Sequence, residues 1–188
     1  MQFVDGENLT ISAQKLIKLS GRRLIAGSTF REDCFFWPGT QVRSLGSPEN
    51  SEPRSIRSYY YTTCVGSEEV RDAVRQQLWT IGFEPHVFKK DKQTRKTKGV
   101  DIALTKDMLS HAFRGNYEVV RLIAGDGDYV PLVEEVKRLG KRVDICFIGD
   151  CVSPDLRLAA DRFIDLMSEI QTWGFHERNS VAITAKGE

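Results

Sequence analysis

The segment Val119–Arg142, VVRLIAGDGDYVPLVEEVKRLGKR, restricts the fold more than any other part of the chain. Val119 to Ala124 is a short apolar run with one interior charge, Arg121. Such a run suits a parallel strand covered by helices on both faces. It breaks at Gly125-Asp126-Gly127-Asp128, where two glycines permit a sharp turn. A helix is predicted from Pro131, since proline is tolerated in a first turn. Leu132, Val133, Val136 and Leu139 make its apolar stripe, and Gly140 stops it. Two carboxylates thus fall where a strand ends and a helix begins, the edge at which open α/β sheets bind ligands. Aspartates there also serve as turn formers and caps, so this segment alone does not establish a site.

The start of the chain repeats the arrangement. Met1 to Val4 reads as a strand running into Asp5-Gly6-Glu7-Asn8, and Leu9, Ala13, Leu16 and Ile17 then recur at helical spacing, with Asn8 as a plausible cap. Ile56 to Val65 is a Tyr-, Thr- and Val-rich strand, followed by a helix over Glu68–Thr80 and a strand over Phe83–Phe88. Gly99-Val100-Asp101 opens a helix to Phe113 whose Ile102, Leu104, Met108, Leu109, Ala112 and Phe113 share a broad face. Asp101 falls on that inward face, where a charge must be paired, capped or metal-bound. Asp107 projects toward the polar side and reads as structural. Arg142 to Ile148 gives another strand, Gly149-Asp150 an ordinary turn, and Asp155 to Met167 a helix. Strands alternating with helices predict a parallel sheet with right-handed crossovers.

With 188 residues and 40% hydrophobic content, the chain suffices for one core, so a single domain over 1–178 is expected. Residues 21–58, with three prolines and the cluster GSPENSEPRS, read as an irregular insertion, and 179–188 as a flexible tail. The Phe35-Phe36-Trp37 cluster could stack on bases, although such clusters more often pack into a core. Cys34, Cys64, Cys146 and Cys151 form no C-x-x-C, and His86, His111 and His176 have no zinc-ligand spacing. Free thiols inside strands fit a reducing cytoplasm. The apolar runs are too short to span a bilayer and MQFVDGEN lacks a signal-peptide layout, so a cytoplasmic protein without a membrane partner is expected. A net charge of +1 leaves no global field, and attraction to a polyanion must be local. Such a patch exists at Lys89–Lys98, KKDKQTRKTK, where six of ten residues are basic. It is either a solvated loop or a backbone-phosphate contact, with Arg95, Lys96 and Lys98 nearest the next acid.

If the strands ending at Asp5 and Asp126 are neighbours, Asp5, Asp101, Asp126 and Asp128 converge in one pocket. Clustered carboxylates raise one another's pKa unless a cation intervenes. Oxygen donors without histidine or thiolate select Mg²⁺ or Mn²⁺, ions that activate water and stabilise charge developing on a phosphodiester.

Four segments carry a resemblance: FVDGENL at Phe3–Leu9, KGVDIAL at Lys98–Leu104, AGDGDYVPL at Ala124–Leu132 and VKRLGKRV at Val136–Val143. Together they resemble the NYN domain, LabA-like branch, of the PIN-like nuclease superfamily, over roughly Met1 to Leu166. The resemblance implies a PIN-like three-layer α/β/α fold with about five mainly parallel strands in the order 3-2-1-4-5. It also implies metal-dependent cleavage of RNA, single-stranded RNA being the expected partner. Asp5, Asp101, Asp126 and Asp128 match the family's acidic positions, and Asn8 a polar position after the first strand, which the resemblance makes a substrate contact together with Arg95, Lys96 and Lys98. Residues 21–58 do not match closely, and a homodimer is neither required nor excluded. A Toprim-like site would use Glu7 with Asp126 and Asp128 but leaves Asp5 and Asp101 unexplained. A haloacid-dehalogenase-like site needs Asp-x-Asp after the first strand, where this chain has Asp5 and Glu7. The rival from another class is a catalytically weak or inactive module that binds RNA or protein. Four retained acids weigh against it, because an idle buried cluster destabilises through repulsion. If the basic stretch meets phosphate, Lys96→Ala and Lys98→Ala should weaken RNA binding irrespective of sequence and lower the salt slope by about one per contact. Unchanged slopes in a salt titration would remove those lysines from the interface.

Overall fold

β1 (Gln2–Asp5) holds the middle of the molecule because both its edges are taken. It pairs in parallel with β5 (Ser58–Cys64) on one side and β7 (Val119–Ile123) on the other. Outward from these lie β6 (Glu84–Lys89) beside β5, then β8 (Arg142–Phe147) and β9 (Arg162–Asp165) beyond β7. The computed structural model describes residues 1–20, 23–24, 29–31, 34–37, 57–90, 99–166 and 175–176. Most of the expected insertion and the 179–188 tail lie outside the described residues. Among the described residues, no helix is long and apolar enough to cross a membrane.

Side chains alternate across the sheet, and both faces are dry. Val4, Tyr60, Cys64, Ile123 and Cys146 meet α1 (Gly6–Ser20) and α2 (Glu68–Thr80), while Phe3, Tyr59, Tyr61, Leu122 and Ile145 meet α3 (Val100–Phe113) and α4 (Val130–Arg138). The period of two shows as apolar on apolar, because neither face is left to water. The expected three-layer α/β/α fold is therefore present. The five expected strands stand in the order 3-2-1-4-5, and β9 adds a sixth at the edge.

β9 replaces the second half of the helix expected over Asp155–Met167. α5 (Pro154–Ala159) ends after six residues, and Ala160 turns to extended backbone at φ −69°, ψ 152°. Asp161 then engages Val143 twice, its N–H donating to the Val143 carbonyl at 3.0 Å and its carboxylate accepting from the Val143 N–H at 2.7 Å. The following residue, Arg162, lies level with Asp144. Asp144 is 1% exposed and accepts from Arg162 Nη2 at 2.7 Å and from Arg142 Nε at 3.1 Å. A buried carboxylate needs such partners, and helical spacing cannot reveal them.

Within residues 21–58, β2 (Arg23–Leu24) pairs antiparallel with β10 (Phe175–His176). β3 (Thr29–Arg31) and β4 (Phe35–Trp37) form an antiparallel hairpin. Phe35, Phe36 and Trp37 are buried, and Tyr60 Oη donates to the Phe36 carbonyl at 2.8 Å. The aromatic cluster is core, and base stacking by it is ruled out by its burial. The helix over α3 is also rotated from the expected face. Val100, Leu104, Met108 and Ala112 are buried, whereas Ile102 and Phe113 are 74% and 67% exposed. Since only a narrow stripe of α3 touches the sheet, Asp101 stands beside the buried face and is exposed, rather than in its middle.

Asp144→Ala would leave Arg142 and Arg162 without their shared carboxylate. It should lower unfolding free energy by about 2–3 kcal/mol, read as a fall in urea midpoint at constant m.

Candidate active site

The parallel register aligns the carboxyl ends of β1 and β7, and both strands end in glycine-containing turns. Gly6 follows Asp5 directly, and a Cβ there would run into the Tyr60 ring and lie 2.7 Å from the Tyr61 carbonyl. A Cβ on Gly125 would strike the Phe147 ring and lie 2.7 Å from the Cys151 carbonyl. Glycine at these two positions lets the acid-bearing turns sit close against the sheet.

Asp5 is the anchor of the cluster and is 4% exposed. Its Oδ1 accepts the Asn8 backbone N–H at 2.9 Å, so Asp5 caps α1, a role expected of Asn8. Asn8 Oδ1 instead accepts the Gly125 N–H at 2.9 Å, strapping the β7 turn to α1. That bond commits the side-chain oxygen of a residue expected to contact substrate.

The second oxygen of Asp5 meets Tyr129. Tyr129 Oη lies 2.9 Å from Asp5 Oδ2 and 3.3 Å from Asp101 Oδ1, so one phenol joins carboxylates from β1 and α3. Asp126 and Asp128 are exposed at the rim, where Asp126 Oδ1 accepts the Asp128 N–H at 3.1 Å and caps the short 3-10 turn Gly127–Tyr129. Glu7 stands close enough to act on both Asp5 and Asp101 and is ion-paired with Lys90 at the end of β6.

The electrostatics register this crowding. Burial pushes Asp5 up from the ordinary 3.8 to about 6, with Asp101 and Glu7 adding to the rise and the bonds from Asn8 and Tyr129 opposing it. Asp101 is also raised, by desolvation first and then by Asp126, Glu7 and Asp128, against the opposing Tyr129 bond. Burial, followed by the two carboxylates, drives the Tyr129 phenol far above the usual tyrosine range, so it keeps its proton. Asp101 thus lies in the fields of Asp126 and Asp128 and in turn acts on Asp5. Arg95, Lys96 and Lys98 lie outside the described residues.

The donor set fits a hard divalent cation in kind, being oxygen throughout and carrying excess negative charge. Among the described residues, however, no three Asp, Glu, His or Cys side chains are grouped closely enough to hold an ion. The link between Asp5 and Asp101 in this structure is the phenol. Tyr129 was not singled out from sequence, since an aromatic opening a helix reads as core. Glu7 entered through the Toprim-like and haloacid-dehalogenase-like alternatives and not as a member of the Asp cluster.

The NYN domain family matches residues 1–169, nearly the whole chain. The chain belongs to the NYN domain family. This is a PIN-like nuclease family whose members generally use divalent metals, which gives the chain a nuclease- or RNA-related setting. The chain is similar to the low amplitude and bright protein LabA of Synechococcus elongatus, 22% identical over 172 residues, covering 87% of this chain and 81% of that protein. Its fold is similar to the crystal structure of a Vibrio parahaemolyticus protein of unknown function, with TM-score 0.64 and 20% identity, covering 89% of this chain and 92% of the other.

The Asp5 shift has a defined sign for stability. A carboxyl raised on folding stabilises the native state at pH below its unfolded value, and that contribution is lost as pH rises through the folded value of about 6. Without divalent ions, Asp5→Asn should therefore stabilise the NYN fold by about 2–3 kcal/mol near pH 7.5, and the gain should shrink toward pH 4. Urea denaturation across that range checks it. A gain independent of pH would assign the effect to hydrogen bonding instead of ionisation.

Proposed function

We propose that this NYN domain is a divalent-metal-dependent ribonuclease that hydrolyses phosphodiester bonds of single-stranded RNA at the Asp5–Asp101–Asp126–Asp128 cluster. The observation that carries this reading is the meeting of Asp5 and Asp101, 96 positions apart in sequence, on one hydroxyl beside the exposed Asp126 and Asp128. Asp5 caps α1 and Asp126 caps the Gly127–Tyr129 turn, yet burial, with Asp101 and Glu7 adding to it, still raises Asp5 to about 6. Such a collection is stabilised by a cation, and a phosphodiester is the polyanion for which a cation-bearing acidic edge is suited.

Asp101, Asp126, Asp128 and Asp5 would hold Mg²⁺ or Mn²⁺, which supplies water activation and charge stabilisation at phosphorus when bound. The chain's own residues provide the frame. Asn8 fixes the β7 turn against α1, and the Asn8 N–H fixes the Asp5 carboxylate. Lys90, held by Glu7 at the β6 end, places a cation next to the acids at the start of the Lys89–Lys98 stretch. Exposure of Asp126 and Asp128 leaves their oxygens open to a ligand from solvent.

The second reading, a module that binds RNA without cutting it, is favoured by the lack of three grouped ligands among the described residues. Incubation with single-stranded RNA separates the two. Cleavage is expected with Mg²⁺ or Mn²⁺, is lost with chelator, and is lost in Asp126→Asn. Mn²⁺ at about 100 times its Kd should also raise the wild-type Tm by about 5–10 °C, a response that Asp126→Asn lacks. RNA retained intact under every divalent ion, with no thermal response, would leave the binding module.

A further inference from the structure

α3 is apolar on two opposite sides. Val100, Leu104, Met108 and Ala112 meet the sheet, while Ile102 and Phe113 stand exposed on the far side with the half-buried Leu109 between them. Ile102 and Phe113 are about three turns apart, so they lie in line, about 16 Å from each other along the axis. Single apolar side chains on a surface are ordinary, but a helix that is apolar all round is normally covered. Lys106 is the one charge on this line. Its ammonium is already paired with Asp107 of the same helix at 3.1 Å, and a lysine stem packs well on apolar surface.

Positions 102, 106, 109 and 113 are spaced by four, three and four residues, an order that reads the same from either end. A two-fold interface requires such a pattern, because one patch must meet its own image. A second α3 turned end for end sets Phe113 against Ile102 and Leu109 against the Lys106 stem. It also points the positive end of one helix dipole at the negative end of the other. α4 lies beside α3 on the same face of the sheet, and both run the same way because each returns the chain between parallel strands. Its outward charges are ordered along the helix, Glu134 and Glu135 ahead of Arg138. The same rotation carries the acids of one copy over the arginine of the other, so the apolar seam and its charged border are both self-complementary.

We propose that the outer faces of α3 and α4 form a two-fold contact between two copies of this chain, with the α3 helices antiparallel. The contact is independent of what the acid edge binds, and the two acid edges then face opposite ends of the pair. Helices about 21 and 14 Å long and about 10 Å across give an interface at the low end of the size range, so the pairing is reversible and concentration-dependent.

Sedimentation equilibrium of the full chain from about 1 to about 300 µM tests the contact. The mass is expected to climb from 21.3 kDa toward twice that, with a dissociation constant of about 10–100 µM. Phe113→Asp and Ile102→Lys, both at exposed positions, should each weaken pairing about tenfold or more, with the thermal midpoint of the dilute chain unchanged. If Phe113→Asp fails to fold, Ile102→Lys carries this arm. Orientation is read by mild oxidation of a mixture of Ile102→Cys and Phe113→Cys, with wild type as the control for the native thiols. The two variants should cross-link to each other and neither to itself, because identical positions lie about 16 Å apart across the two-fold. A chain that stays monomeric at about 300 µM overturns the proposal, and so does a dimer that these substitutions leave intact. A mixture that does not cross-link, or a variant that cross-links to itself, overturns the antiparallel arrangement.

Discussion

Parallel pairing of β1 with β5 and β7 is the constraint on which the rest of the molecule depends. β1 has only four residues, yet both of its edges are hydrogen-bonded and both of its faces are covered. A strand so placed cannot shift register without moving Phe3 and Val4 into the wrong layers. Asp5 is therefore delivered to one fixed point, level with Tyr61 on β5 and one step beyond the last β1–β7 pair, Val4 with Ile123. The turn carrying Asp126 emerges beside it, and the two turns are strapped together by Asn8 and Gly125.

This rigidity is what allows the edge to hold unfavourable charge. Asp5, Asp101, Asp126, Asp128 and Glu7 contribute five acids to a small region, and the described counter-charge at close range is Lys90 on Glu7. Such repulsion is sustained because the strands are locked by apolar packing on both sides, independently of the acids. Apolar packing and charge repulsion thus pull in opposite directions at the same strand ends.

At the opposite end of the sheet charge is balanced. Arg121, Asp144 and Arg162 lie level across β7, β8 and β9, so positive, negative and positive groups alternate across neighbouring strands. Asp144 is as deeply buried as Asp5, but it is paired with two arginines, whereas Asp5 is paired with hydrogen-bond donors that carry no charge. The contrast separates a carboxylate neutralised by arginines from one held by uncharged donors, and burial by itself does not.

Much of this was legible in the residues. Apolar runs stopping at Asp-Gly turns fixed the strands of β1 and β7 and put acids at their ends, since strand and helix periods are local properties of a chain. The match of FVDGENL, KGVDIAL and AGDGDYVPL to the NYN family was likewise a property of sequence order. The sixth strand was hidden because β9 is held by Asp144, Arg162 and Val143, contacts that have no local period. The exposure of Asp101 depended on how α3 rolls on the sheet, which a helical wheel leaves free by one position. Tyr129 looked like any core aromatic until folding set its hydroxyl between two distant carboxylates. Sequence alone determined which residues could end strands and carry charge; tertiary structure decided which of those charges face one another, because that depends on through-space distances between elements that no spacing along the chain encodes.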